Sequence, residues 1–124
     1  MKKLILLAAL CLLAGPACAD PGSLFNINAT TAPVITCTTT SSNVAFGNPN
    51  ILNVRIYNSG SAAVFVVTGD STVSATFPTS SAVAGSVIAP GAIESFQKSP
   101  GHTHIACDAA SSSNTVYVQS GSGE

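Results

Sequence analysis

Apolar and polar residues alternate along much of the chain. In Leu52-Asn53-Val54-Arg55-Ile56 the apolar side chains fall on one face and Asn and Arg on the other, the period of a half-buried strand. Thr72-Val73-Ser74-Ala75-Thr76-Phe77 repeats the pattern. Ala62 to Thr68 is continuously apolar through Val64-Phe65-Val66-Val67, which suits a central strand covered on both faces. After residue 19 no long stretch carries apolar residues at i, i+3 and i+4, and Gly or Pro interrupts often, so no helix is expected.

Turn chemistry separates these runs. Asn58-Ser59-Gly60-Ser61 divides two of them, and Gly69-Asp70 offers the positive φ of a tight hairpin. Pro78 to Ala82, Pro90-Gly91, Pro100-Gly101 and Ser111-Ser112-Ser113-Asn114 break the remainder. Strands are expected near 34–40, 43–46, 51–57, 62–68, 71–77, 85–89, 92–97, 103–108 and 114–119. Short strands at this spacing predict an all-β fold: a single antiparallel β-sandwich, Ig-like or jelly-roll-like, of about seven to nine strands. No Trp lies between Cys37 and Cys107, which disfavours an antibody-type domain.

The first nineteen residues break this pattern and read as a secretory signal. Lys2 and Lys3 precede an apolar run from Leu4 to Leu13, and Ala17-Cys18-Ala19 is a small-residue cleavage site before Asp20. The run is shorter than the ~20 residues that span a bilayer. A lipidated cysteine is disfavoured, because Gly15-Pro16-Ala17 before Cys18 lacks the expected upstream Leu. The expected organisation is a signal peptide over 1–19, an N-terminal arm or first strand over 20–33, and a sandwich over 34–124. Export places the mature protein in the periplasm, outside the cell or on a particle surface.

Cleavage changes the composition. Cys11 and Cys18 leave with the signal, so Cys37 and Cys107 remain. In an oxidising compartment the default is one disulfide between them, the alternative being two buried free thiols. Closing that loop would stabilise by about 4 kcal/mol on the chain-entropy model. Arg55 and Lys98 are left against Asp20, Asp70, Glu94, Asp108 and Glu124, a net charge of −3. Two separated cations cannot neutralise a run of phosphates or dock on an anionic membrane, so neither nucleic acid nor, after cleavage, a membrane is an expected partner. Ser and Thr supply 29 of the 105 mature residues, a surface that is soluble and poor in acid–base chemistry.

Candidate chemistry is correspondingly sparse. His102-Thr103-His104 places two imidazoles on one face of a strand, but zinc wants three or four convergent ligands, and alternation puts Cys107 on the opposite face. The competing reading is a pair of partly exposed histidines. No Gly-x-Ser-x-Gly elbow marks a nucleophile. Nothing in the spacing of Asp70, Glu94 and Asp108 makes two carboxylates converge, so turn or solvent positions are expected for them. Asn28-Ala29-Thr30 matches a glycosylation sequon, relevant only in a eukaryotic secretory route. No catalytic residue, metal or cofactor is expected.

The run from Asn53 to Val66, then Ser71-Thr72-Val73-Ser74-Ala75-Thr76, Ile88-Ala89-Pro90-Gly91-Ala92-Ile93-Glu94-Ser95-Phe96, Thr103-His104-Ile105-Ala106 and Thr115-Val116-Tyr117-Val118 resembles a group of small proteins encoded among tailed-phage virion genes. The resemblance covers most of the mature domain and implies a compact β-domain decorating or stabilising a particle, without catalytic residues. The export signal and two cysteines depart from that group, since phage heads assemble in the cytoplasm, where disulfides rarely persist.

The Cys37 strand followed by Val44-Ala45-Phe46-Gly47 is similar to the opening of secreted pilin-like and spore-coat-U-like proteins, disulfide-bridged sandwiches of this size. That resemblance implies polymerisation by strand donation, with 23–34 as donor through Phe25, Ile27 and Ala29; otherwise this segment is an ordinary first strand or an arm. The expected function is that of an exported structural module acting by self-association, as a homo-oligomer, or by attachment to other structural proteins of a surface assembly. A small ligand- or metal-binding domain is the further alternative. The loop tips 79–84 and 108–114 are where a binding surface is expected.

Overall fold

The structure is a computed structural model that describes residues 25–28, 31–80 and 84–123. The expected signal, its Ala19–Asp20 junction and the sequon residues Ala29 and Thr30 lie outside the described residues. The described residues form nine strands: β1 (Asn26–Ile27), β2 (Val34–Cys37), β3 (Ser42–Ala45), β4 (Asn53–Asn58), β5 (Val64–Gly69), β6 (Ser86–Ile88), β7 (Ile93–Gln97), β8 (His104–Ala109) and β9 (Asn114–Ser122). No helix occurs among the described residues.

The strands form two antiparallel sheets packed as a sandwich. The first runs β7-β4-β9, with β2 and β1 sharing the other side of β9; the second runs β3-β8-β5-β6. Alternation decides which side chains are enclosed. Ile35 and Cys37, Val54 and Ile56, and Val116 and Val118 point inward from the first sheet, meeting Val64, Val66, Ile88, Ile105, Cys107 and Ala109 from the second. Cys37 on β2 and Cys107 on β8 are fully buried and joined as a disulfide across the two sheets, their Cα atoms 5.5 Å apart. The bridge therefore ties layer to layer in the centre of the core.

Two of the expected turns form with their own chemistry. The Ala92 amide donates to the Ala89 carbonyl (3.1 Å) and the His102 amide to that of Ser99 (3.2 Å). Each turn has Pro second and Gly third, with Gly91 at φ 72° and Gly101 at φ 87°, the order a type II turn requires. Gly69 is not among the positive-φ glycines. The reversal after β5 is instead made by Asp70, whose Oδ1 accepts from the Thr72 amide (2.8 Å) and hydroxyl (2.6 Å). This is an Asx-type turn, and the side chain supplies what the glycine was expected to supply.

The expected strand over 71–77 is corrected: this segment pairs with neither sheet. It crosses the outer face of the second sheet as a strap, and side chains take the place of a ladder. Asn43 Nδ2 donates to the Ser71 and Val73 carbonyls (3.3 and 3.1 Å). The Ala75 amide donates to Ser41 Oγ (2.8 Å), and the Phe77 amide to Asp108 Oδ2 (2.7 Å). The alternation itself is real, because Val73, Ala75 and Phe77 pack on Phe65, Val67 and Ala106. The Phe65 and Phe77 rings meet edge to face at 6.5 Å. Strand β5 is thus covered on both sides, as its continuous apolar run predicts.

Two buried asparagines stitch the loops. Asn58 Nδ2 donates to the carbonyls of Ala62, Ile88 and Ala89, while its Oδ1 accepts from the Gly60 amide. Asn114 Oδ1 accepts from the Ala62 amide (3.0 Å) and its Nδ2 donates to Ser111 O (3.1 Å). A Cβ on Gly60 would collide with the Asn114 amide, so this turn needs glycine for the close approach. Lys98 is also buried; its Nζ donates to Pro49 O (2.7 Å) and lies 5.3 Å from the centre of the Phe46 ring.

Candidate interaction face

The two sheets differ on their outer sides. The strap covers the second, whereas the first carries a line of exposed apolar side chains. Backbone register sets this line: Val34 on β2 lies opposite Tyr117 on β9, Tyr117 opposite Tyr57 on β4, and Tyr57 opposite Ile93 on β7. Residues directly opposite share a face, so the four form one row across four strands. Their exposures are 50, 41, 39 and 60% in that order. The tyrosine rings are stacked, with centroids 6.0 Å apart and planes within 16° of parallel. Ile27 on β1, opposite Gly121 on β9, lies on the same face. Among the described residues, five of the six exposed large apolar side chains are therefore on this face, the sixth being Val87 on the other sheet. Clustering of this kind distinguishes an interaction patch from the scattered apolar residues of any surface.

The flanking row is polar: Gln119, Arg55 and Ser95 lie opposite one another. The Phe25 ring sits on the Arg55 guanidinium, 4.5 Å from its central carbon, and Arg55 Nε is buried without a hydrogen-bond partner among the described residues. Gly121 permits this, because a Cβ there would collide with the Asn26 carbonyl and crowd the Phe25 ring. A shallow depression of about 460 Å³ runs between the rows, lined by Ala32, Arg55, Tyr57, Ser59, Ile93, Tyr117 and Gln119.

The segment considered as a strand donor contributes to this face in its own chain. Asn26 and Ile27 pair with Ser122 and Gly121 of β9, and the Asn28 amide donates to Ser120 O (3.0 Å). Residues 23, 24, 29 and 30 of the segment lie outside the described residues, and Val34 at its end opens β2.

The sequence-predicted histidines occupy the opposite sheet. His104 opens β8, but His102 precedes the strand, so the two do not alternate along one ladder. His102 Nδ1 is 2.8 Å from Thr68 Oγ1, and His104 Nδ1 is 2.8 Å from Thr103 Oγ1. Hydrogen bonds from the Thr72 hydroxyl and amide hold the Asp70 carboxyl below its ordinary 3.8, with smaller contributions in the same direction from His104 and His102. No group of three or more His, Cys, Asp or Glu side chains is placed to hold a metal among the described residues. His102 also lines a cleft of about 330 Å³ with Val66, Thr68 and Phe96. Asp108, expected at a turn or in solvent, is buried on β8; Oδ2 accepts from the Phe77 amide and Oδ1 has no partner among the described residues.

The row was not found by sequence reasoning, although each member carries a signal. Tyr57 and Tyr117 alternate against the inward Val54, Ile56, Val116 and Val118, so each sits on the face its strand should leave polar. Comparison with protein-family models, curated proteins and solved structures finds no match to this chain.

Proposed function

We propose that this protein is a non-enzymatic, exported structural module that works by self-association or by attachment within a surface assembly, using the outer face of its first sheet. The observation carrying this reading is the row Val34–Tyr117–Tyr57–Ile93, apolar and uncovered on a sheet whose counterpart is capped by its own chain. Tyrosine with flanking aliphatics and one arginine is the composition of a contact surface rather than of a reaction site. The disulfide supports work in an oxidising compartment, as the signal-like first nineteen residues do. The resemblance to small β-proteins of tailed-phage virions and to secreted coat- and pilin-like subunits points to assembly as well.

Native mass of the purified mature protein tests this across concentrations from micromolar to millimolar. Growth of mass with concentration is expected. A strict monomer throughout, with catalytic turnover or metal uptake that His104→Ala abolishes while the fold persists, would replace this reading with the small-ligand or enzyme alternative.

A further inference from the structure

We infer that the partner of this face is a second copy of the same chain, the row of one copy lying against the same row of the other; this rests on the assembly reading above and names its contact. The row is nearly symmetric in itself. A β-branched aliphatic, two tyrosines and a second β-branched aliphatic follow one another across the sheet. Laid on its own copy in either direction, aliphatic meets aliphatic and ring meets ring. An isologous contact requires this property, because one patch must complement itself.

Charge points the same way. Arg55 is the one cation or carboxylate that the described residues place on this face, and Phe25 already covers it. Glu94 neighbours Ile93 on β7 but alternates to the other side, opposite the inward Ile56. Asp70 and Asp108 belong to the second sheet and its turn. Two copies of a net-negative protein can thus meet here without opposing carboxylates, and the face offers no charge that would select an acidic or basic partner instead.

Area sets the strength. Four strands spaced by ~4.8 Å and six residues of ~3.3 Å each give a flat face of roughly 400 Å² per copy, against about 800 Å² per partner in a standard specific interface. The contact is therefore a reversible dimer at the weak end of specific association, strengthened where many copies are held on one surface.

Crosslinking of single-cysteine variants of the mature chain tests the contact. Val34→Cys and Ile93→Cys, alone and mixed, are treated with a thiol-to-thiol reagent spanning the ~10 Å between packed sheets; Val87→Cys, exposed on the other sheet, is the control. Each position is exposed, so folding is retained, and the native cysteines are fully buried. Dimer yield at 34 and 93 at least ten-fold above that at 87, lost on adding Tyr57→Ser, is the expected result. Concentration-dependent mass with equal yields at all three positions would overturn this contact while leaving self-association standing. A strict monomer with background yields would overturn both, and a monomer carrying a different bound molecule on the tyrosines would make that molecule the occupant.

Discussion

The rings of Tyr57 and Tyr117 lie stacked 6.0 Å apart on neighbouring strands, directly opposite in register, on a face the described chain leaves open. Stacking gives the pair mutual contact but does not remove it from water; both residues remain more than a third exposed. Covering two such rings and their aliphatic neighbours is a source of free energy available only to a partner, at roughly 25 cal/mol per Å² of apolar surface. Substituting them is consequently expected to cost the fold little. Tyr57→Ser should change the unfolding free energy by less than about 1 kcal/mol, measured by denaturant titration at a concentration where the protein is monomeric.

The Cys37–Cys107 bridge should behave differently. It closes a separation of 70 residues and lies wholly inside the core. Replacing both cysteines with alanine is expected to lower stability by about 4 kcal/mol, with a further loss from the emptied space, seen as a fall in the urea midpoint. A change below about 1 kcal/mol would show that the unfolded chain is not measurably restrained by this link.

Gly60 and Asn114 should be energetically coupled, since an added methyl group at 60 would occupy the space of the asparagine amide. Gly60→Ala alone and Asn114→Gly alone are each expected to destabilise by roughly 1–3 kcal/mol, the second by stranding the Ala62 amide. The double variant should lose clearly less than the sum, because removing the whole Asn114 side chain, Cβ included, makes room for the methyl. Strict additivity in a double-mutant cycle would contradict the contact.

Lys98 supplies a pH-dependent case. Burial lowers its pKa from the ordinary 10.5, so the unfolded chain holds this proton more tightly than the folded one. The unfavourable contribution is complete at pH values below the folded pKa and disappears as pH rises through 10.5. Lys98→Met removes the buried charge, while the exposed Pro49 can hydrate its carbonyl. It is expected to stabilise by about 1 kcal/mol at neutral pH, with the gap to wild type shrinking as pH rises toward 10.5. A gap that widens as pH rises would reverse the assignment.

Strand β4 is legible in the sequence because burial there follows side-chain period, and β5 because a continuous apolar run calls for cover on both faces. The Pro90-Gly91 and Pro100-Gly101 turns are legible because those dipeptides have few alternative conformations. The cysteine pair is legible from count and compartment. Residues 71–77 are not, because alternation reports one buried face and says nothing of whether the backbone is paired; Ser41, Asn43 and Asp108, distant in sequence, supply the partners. Burial of Asn58, Asn114 and Lys98 is likewise fixed by partners outside any local window. The interaction face is invisible for a related reason. Val34, Tyr57, Ile93 and Tyr117 are each single exceptions to their strand's pattern, and only the register of four strands brings them into one row.

That row is tested most directly by recording backbone amide NMR spectra of the chain from Asp20 onward on dilution from about 1 mM to about 20 μM, a range suited to weak association. Concentration-dependent shifts confined to Val34, Tyr57, Ile93, Tyr117 and their neighbours on the first sheet, and abolished by Tyr57→Ser with Tyr117→Ser, are the expected result. Spectra unchanged over the whole range, or shifts centred on the strap and second sheet, would contradict the proposal that this face is where the protein assembles.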